Sequence, residues 1–129
     1  MSVNTSITMS KAHELGRKGE EIAVAHLKSI GYEIVAVNWF SHQLEIDIVA
    51  KDGRELVIVE VKARGSDSYE HPSEAVSNKK IRFLVNAAEA YILENNINED
   101  TRFDVISIIF SGKGFELEHF KNAFYPPVG

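Results

Sequence analysis

EIDIVAKDGRELVIVEVK, residues 45–62, reads as two strands joined by a tight turn. Alternation puts Glu45, Asp47 and Val49 on one face of the first run and Ile46, Ile48 and Ala50 on the other. In the second run it sets Leu56, Ile58, Glu60 and Lys62 against Val57, Val59 and Val61. Asp52-Gly53 between them is a hairpin signal, because a type I′ turn needs positive φ at both central residues. A two-residue turn there pairs Lys51 with Arg54, Asp47 with Ile58 and Glu45 with Glu60. Glu60 is then opposite Glu45 and diagonal to Asp47, within roughly 4.5–8 Å.

Like charges directly opposite on a sheet are destabilising, so the arrangement needs a reason. Three carboxylates and a lysine on an Ile/Leu-lined face admit two readings. One is a divalent-metal site with an ammonium beside it. The other is a solvated strand surface whose acids pair with Lys62 or an arginine. The spacing alone does not choose between them.

Composition narrows the field. A chain of 129 residues is one domain with one substantial core. Hydrophobic residues at 44% and charged residues at 26% match an ordinary globular protein. The chain has no cysteine, which excludes disulfides, thiolate metal sites and cysteine nucleophiles. No apolar run approaches the ~18–20 residues a membrane helix needs. The opening MSVNTSITMSKAHE lacks the basic and apolar parts of a secretory signal, so a cytoplasmic protein without membrane contact is expected. A net charge of −5 argues against a bulk nucleic-acid coat. It leaves a nuclease open, since bound divalent cations offset that charge and the local field steers a polyanion.

Along the chain, residues 1–9 are expected to be flexible, 10–125 to form the domain and 126–129 a tail. A helix over Ser10–Ile30 carries Leu15, Gly19, Ile22, His26 and Ile30 as its stripe, widened by Ala23 and Leu27, with Gly31 as its stop. Gly16 and Gly19 weaken it by roughly 1 kcal/mol each, which suits either a poor helix rescued by packing or close approach of another backbone. Tyr32–Asn38 is a strand, and Trp39-Phe40 are expected to cap the core. Arg64–Ser73 is a loop. A second helix starts at Ser73 or Ser77 and buries Ile81, Leu84, Val85, Ala88, Ile92 and Leu93. Lys79, Lys80 and Arg82 crowd its first turns, where the dipole disfavours cations; they form a solvated basic patch or a phosphate contact. Thr101–Ser111 is a central strand and Phe115–Phe120 an edge strand. The order is α-β-β-β-α-β-β, an α/β fold with a mixed sheet flanked by helices.

GRKGEEIA (Gly16–Ala23), the acids and lysine of Glu45–Arg64, EAVSNKK (Glu74–Lys80) and RFDV (Arg102–Val105) occur in order. Together they resemble the small bacterial YraN-like proteins, which belong to the restriction-endonuclease-like superfamily near the archaeal Holliday-junction resolvases. The resemblance covers about residues 10–125. It implies a restriction-endonuclease-like fold and the PD-(D/E)xK metal-dependent nuclease constellation. Asp47 matches its first acid, Glu60 its second, Lys62 its lysine, and Glu20 the helix glutamate of the resolvase-like branch. Lys79 or Lys80 falls where a further basic residue often stands. Where the family commonly has glycine immediately before Glu45, this chain has Leu44.

The implied chemistry is hydrolysis of DNA phosphodiesters, in branched or damaged structures. Hard carboxylate oxygens suit one or two Mg²⁺ or Mn²⁺ ions. Asp47, Glu60 and Glu20 would be ligands, with the Val61 carbonyl as a further one and Glu45 as an accessory acid. Lys62 would stabilise developing negative charge. Arg17, Arg64, Lys79, Lys80 and Arg82 are the candidate nucleic-acid contacts. A homodimer is expected by analogy with resolvases. The alternative is a catalytically silent nucleic-acid-binding or assembly module that keeps the fold. His13, His26, His42, His71 and His119 have no metal-ligand spacing, and His26 on the helix stripe reads as a core histidine. Phosphate-loop, dinucleotide-loop and nucleophile-elbow patterns are missing from the sequence.

Overall fold

Helix α1 (Val3–Ser29) leads into strands β1 (Glu33–Ser41), β2 (Leu44–Asp52) and β3 (Glu55–Gly65). Helix α2 (Asn78–Asn95) then carries the chain to β4 (Thr101–Ser111), from which β5 (Gly114–Phe120) turns back. The structure, a computed structural model, describes residues 3–66 and 76–125, with side chains from His13 onward in α1. The five strands lie side by side in chain order. Only β3 and β4 run parallel, because α2 returns the chain between them. The α-β-β-β-α-β-β order and mixed sheet are those expected, with β4 interior and β5 at an edge.

Each helix covers one face. Ala23 and Leu27 of α1 pack on Ile48, Ala50, Val57, Val59, Ile106 and Ile108. Leu84, Ala87, Ala88 and Tyr91 of α2 pack on Ile46, Val49, Leu56, Ile58 and Phe103. Helix α1 starts at Val3, ahead of the Ser10 at which its apolar stripe becomes continuous. It ends as expected: Gly31 takes φ +94° and the Tyr32 N–H donates to the Leu27 carbonyl at 2.9 Å. Ser77 caps α2 by accepting the Lys80 N–H at 3.2 Å, which selects the later of its two expected starts.

Some expected core positions are outside the core. Ile30 and Leu93 are exposed, and Ala87 and Tyr91 take the place assigned to Leu93 in α2's buried face. Trp39 meets Tyr91 edge-on at 5.2 Å, whereas Phe40 is exposed. Consecutive strand residues point to opposite faces, so only one of that pair can cap the core. The expected loop begins after β3 reaches Gly65, and residues 67–75 lie outside the described residues.

The β2–β3 register differs from the one read off Asp52-Gly53. Asp52 pairs with Glu55, Lys51 with Leu56 and Val49 with Ile58. The turn residues are therefore Gly53 and Arg54, and of these only Gly53 has positive φ, +63°. Glycine at the first turn position is the type II′ requirement, not the type I′ one. The displacement is by two residues, so faces are kept and partners change. Glu45 has Phe40 as its partner on β1, and the β2–β3 ladder ends at Ile48–Val59, before it reaches Glu45 or Glu60.

A buried ion cluster fastens β4 to this hairpin. Arg102 reaches Asp52 and Glu55 at 3.0 Å each, on either side of the turn, and Asp104 at 2.9 Å. It also donates to the Tyr32 hydroxyl. Asp104 is fully buried and takes His119 Nε2 at 2.8 Å and the Asn122 N–H at 3.0 Å. Burial alone would raise its pKa, but the bonds from His119, Arg102 and Asn122 outweigh it and hold it at about 2. His26 lies at the edge of this cluster, 3.1 Å from His119, and is half-buried rather than the core histidine expected. Its pKa is lowered by burial and by His119 and Lys121.

Candidate functional site

Strand β3 sends Leu56 and Ile58 to the α2 side, so Glu60 and Lys62 continue that face beyond the apolar core. Glu60 is mostly buried, with 12% of its side chain exposed. The β2–β3 ladder closes with Ile48 and Val59, and Asp47 and Glu60 are the next residue on each strand. Asp47 Oδ2 accepts the Val61 backbone N–H at 2.8 Å, which fixes the carboxylate beside β3. The Asp47 carboxylate lies close enough to Glu60 to act on its carboxyl group. Burial first, and then Asp47, push the Glu60 carboxyl up to about 8; Lys80 acts the other way. At neutral pH Glu60 therefore keeps its proton.

Lys80 supplies the counter-charge from α2, with Nζ 3.3 Å from Glu60 Oε2 and 5.0 Å from the centre of the Phe83 ring. Lys79 and Arg82 are exposed on the same helix. Lys62 is half-buried and pairs with Ser107 of β4.

Glu20 comes from the other side of the sheet. Gly19 lies so close to β3 that a Cβ there would stand 2.5 Å from the Ala63 Cβ, so the small residue lets α1 settle onto the strand. Of the two glycines, only Gly19 marks a close approach; a Cβ at Gly16 would meet nothing within 4 Å. Glu20 bonds to Asn38, and its pKa is raised by burial and then by the charges of Asp47 and Glu45. Its neighbours Arg17, Glu21, Val24, Val37 and Asn38 line a shallow surface depression with it.

Strand irregularity brings these acids towards one another. Asn38 takes φ +54°, and Ala36 and Trp39 of β1 both join the α2-side core, as do Ile46 and Val49 of β2. Alternation thus fails in both strands at the same level, next to Asp47. This bend is the feature that strict period-2 reading of EIDIVA misses.

The geometry joins Asp47, Glu60 and Lys80, with Lys62 on the same face. On the other side, Asp47 and Glu45 act on Glu20 through charge. Arg64 is buried at the end of β3, and Arg17 lies on the Glu20 side. Two adjacent carboxylates are donors that a hard cation takes. Among the described residues, however, no three His, Cys, Asp or Glu side chains are grouped so as to hold a metal. As arranged, the pair is a partial ligand set, and Lys80 occupies one side of Glu60.

Reading by residue type missed two features. Arg102 and Asp104, two charges in an otherwise apolar strand, signalled a buried ion pair. Ser107, on the same face as Lys62, gave no signal of its own.

Among the described residues, no helix is long and apolar enough to cross a membrane. The profile of the Uncharacterised protein family UPF0102 matches residues 19–108. A UPF0102 protein of Bacteroides thetaiotaomicron is 45% identical over 120 residues, covering 93% of this chain and 99% of that protein. One from Parabacteroides distasonis is 42% identical over 119 residues, covering 92% and 98%. UPF0102 protein FP2501 of Flavobacterium psychrophilum is 40% identical over 117 residues, covering 91% and 98%. The acid-lysine strand, the glycine-docked helix and the mixed sheet thus stand in a chain that belongs to the UPF0102 family, related at superfamily level to the restriction-endonuclease-like PD-(D/E)xK folds.

Proposed function

We propose that this protein is a nucleic-acid-binding module that keeps the nuclease fold while Glu60, beside Asp47, rests protonated against Lys80. The observation that carries this is Lys80 on Glu60 at 3.3 Å beside Asp47, in place of a third acidic ligand. Lys79, Lys80 and Arg82 give the site a basic rim for phosphates, and Lys62 continues it along β3. The net charge of −5 confines attraction to that local patch, so binding is weak at physiological salt and falls steeply as salt rises.

A second reading is favoured by Asp47 beside Glu60, with Lys62 on the same face: a Mg²⁺- or Mn²⁺-dependent endonuclease acting on DNA. Asp47 and Glu60 would hold the ion, with Glu20 and the Val61 carbonyl as further donors. When bound, such an ion polarises a phosphate oxygen and lowers the pKa of its water. For that, Glu60 must lose its proton and its hold on Lys80, and Lys62 would face the charge developing on phosphorus.

One experiment separates the two. Labelled single-stranded, duplex, flap and four-way-junction DNA are incubated with wild type and Asp47→Ala in Mg²⁺, Mn²⁺ or EDTA. Binding is followed by anisotropy and products by gel. Saturable binding without a metal-dependent product supports the module. Metal-dependent product from wild type alone establishes the endonuclease instead, and absence of binding to every substrate rejects both.

A further inference from the structure

Ser107 is 1% exposed, and its hydroxyl finds no hydrogen-bond partner among the described residues. Buried polar side chains are hydrogen-bonded in the great majority of cases, so a partner outside the fold is called for. Its position says which kind. Ser107 pairs with Lys62 across the parallel β3–β4 ladder and with Glu118 across β4–β5. One pair earlier on the same face are Glu60 and Val105. Val76 and Ile81, at the start of α2, line a cavity with Val105 and Phe120. Ser107 lies one pair further along, where it lines a separate cavity with Ile109, Glu116, Leu117 and Glu118.

We propose that Ser107 and Lys62 together bind one phosphodiester of a nucleic acid, Ser107 Oγ–H donating to one non-bridging oxygen and the Lys62 ammonium pairing with the other. This rests on the nucleic-acid reading above and adds a residue to its site. Neighbouring strands stand roughly 4.8 Å apart, so side chains from two adjacent strands can hold one anion between them. A cation is the wrong ligand beside Lys62. Glu116 and Glu118, which line the cavity beside Ser107 from β5, repel an anion and so keep it on the Lys62 side. A hydroxyl adds a donor without adding charge, and this separates its effect from that of the lysine.

The test is anisotropy with labelled single-stranded and four-way-junction DNA over a salt series, using the full chain. Ser107→Ala weakens binding about tenfold, with the salt slope unchanged. Ser107→Cys, close in size but a weak donor, gives the same loss. Lys62→Met weakens binding and lowers the slope by about one. Glu118→Gln tightens it. The melting temperature of Ser107→Ala is unchanged or higher, since an unpartnered hydroxyl has been removed. If wild type binds and Ser107→Ala binds equally well, the hydroxyl holds only water: the proposal falls and the nucleic-acid reading stands. If wild type binds no nucleic acid, both fall.

Discussion

Lys80 Nζ stands 3.3 Å from Glu60 Oε2, so the helix that follows the hairpin acts on the charge of the hairpin's second acid. Lys80 opposes the upward push of burial and of Asp47 on Glu60, which already titrates at about 8. Replacing Lys80 with methionine removes that opposition, and the Glu60 midpoint moves higher still. A carboxyl-carbon NMR titration of wild type and Lys80→Met reads the shift directly. A midpoint that stays put or falls contradicts the contact.

Glu60 also makes stability depend on pH. Its folded pKa is raised above the ordinary value of 4.5, so the folded state holds the proton more tightly. The associated stability is present in full below about pH 4.5 and is lost as pH rises towards about 8. Each unit of displacement is worth about 1.4 kcal/mol, giving a fall on the order of a few kcal/mol across that window. Glu60→Gln, which cannot ionise, flattens the slope in urea unfolding measured from pH 5 to pH 9. A wild-type stability that rises over this range contradicts the assignment.

The two glycines of α1 predict opposite signs. Gly19→Ala places a methyl 2.5 Å from the Ala63 Cβ, so helix and strand must part. Overpacking of this kind costs about 1–3 kcal/mol. Gly16→Ala meets no neighbour and gains about 0.5–1 kcal/mol from helix propensity. Chemical denaturation of the two variants checks both signs together, and a neutral Gly19→Ala would refute the close docking.

Arg102 is the centre of the buried charge cluster, and its loss leaves Asp104 without its main counter-ion. Arg102→Met costs about 3–5 kcal/mol. Because Asp104 is depressed to about 2, it stabilises the fold above pH 3.8 and loses that contribution as pH falls through 2. In Arg102→Met the acid-unfolding midpoint therefore moves to higher pH. Adding Asp104→Leu recovers part of the loss, which a double-mutant cycle by denaturation measures.

The element order was legible because alternation and helical stripes are local, and every strand and helix carries its own. Register was not, because it turned on which side of Gly53 the turn would close. The run DG suits a type I′ turn at Asp52-Gly53, yet positive φ at glycine alone suits type II′ at Gly53-Arg54. That choice set Glu60 near Asp47 instead of opposite Glu45. The site acids Glu20, Asp47 and Glu60, with Lys62, were marked by residue type and family resemblance. The proton held by Glu60 was beyond reach, since it depends on burial and on the nearness of Asp47 across the hairpin. Leu93 failed for a similar reason: a helical stripe defines a face only to within about one residue, and packing decides which edge is covered.

The parallel β3–β4 pair has a consequence for the order in which the chain folds. Three of the four strand pairings, β1–β2, β2–β3 and β4–β5, can form as hairpins with short loops, and such contacts form early. Joining β4 to β3 instead requires closing the long segment that contains α2, so its loop entropy is lost before the ladder forms. Arg102 sits at the start of that ladder and reaches across both sides of the β2–β3 turn. It acts as the latch of the slowest closure, and both carboxylates that receive it flank a hairpin formed locally. The acidic pair gains Lys80 only once α2 has docked, so the site is assembled last, after the sheet that carries it.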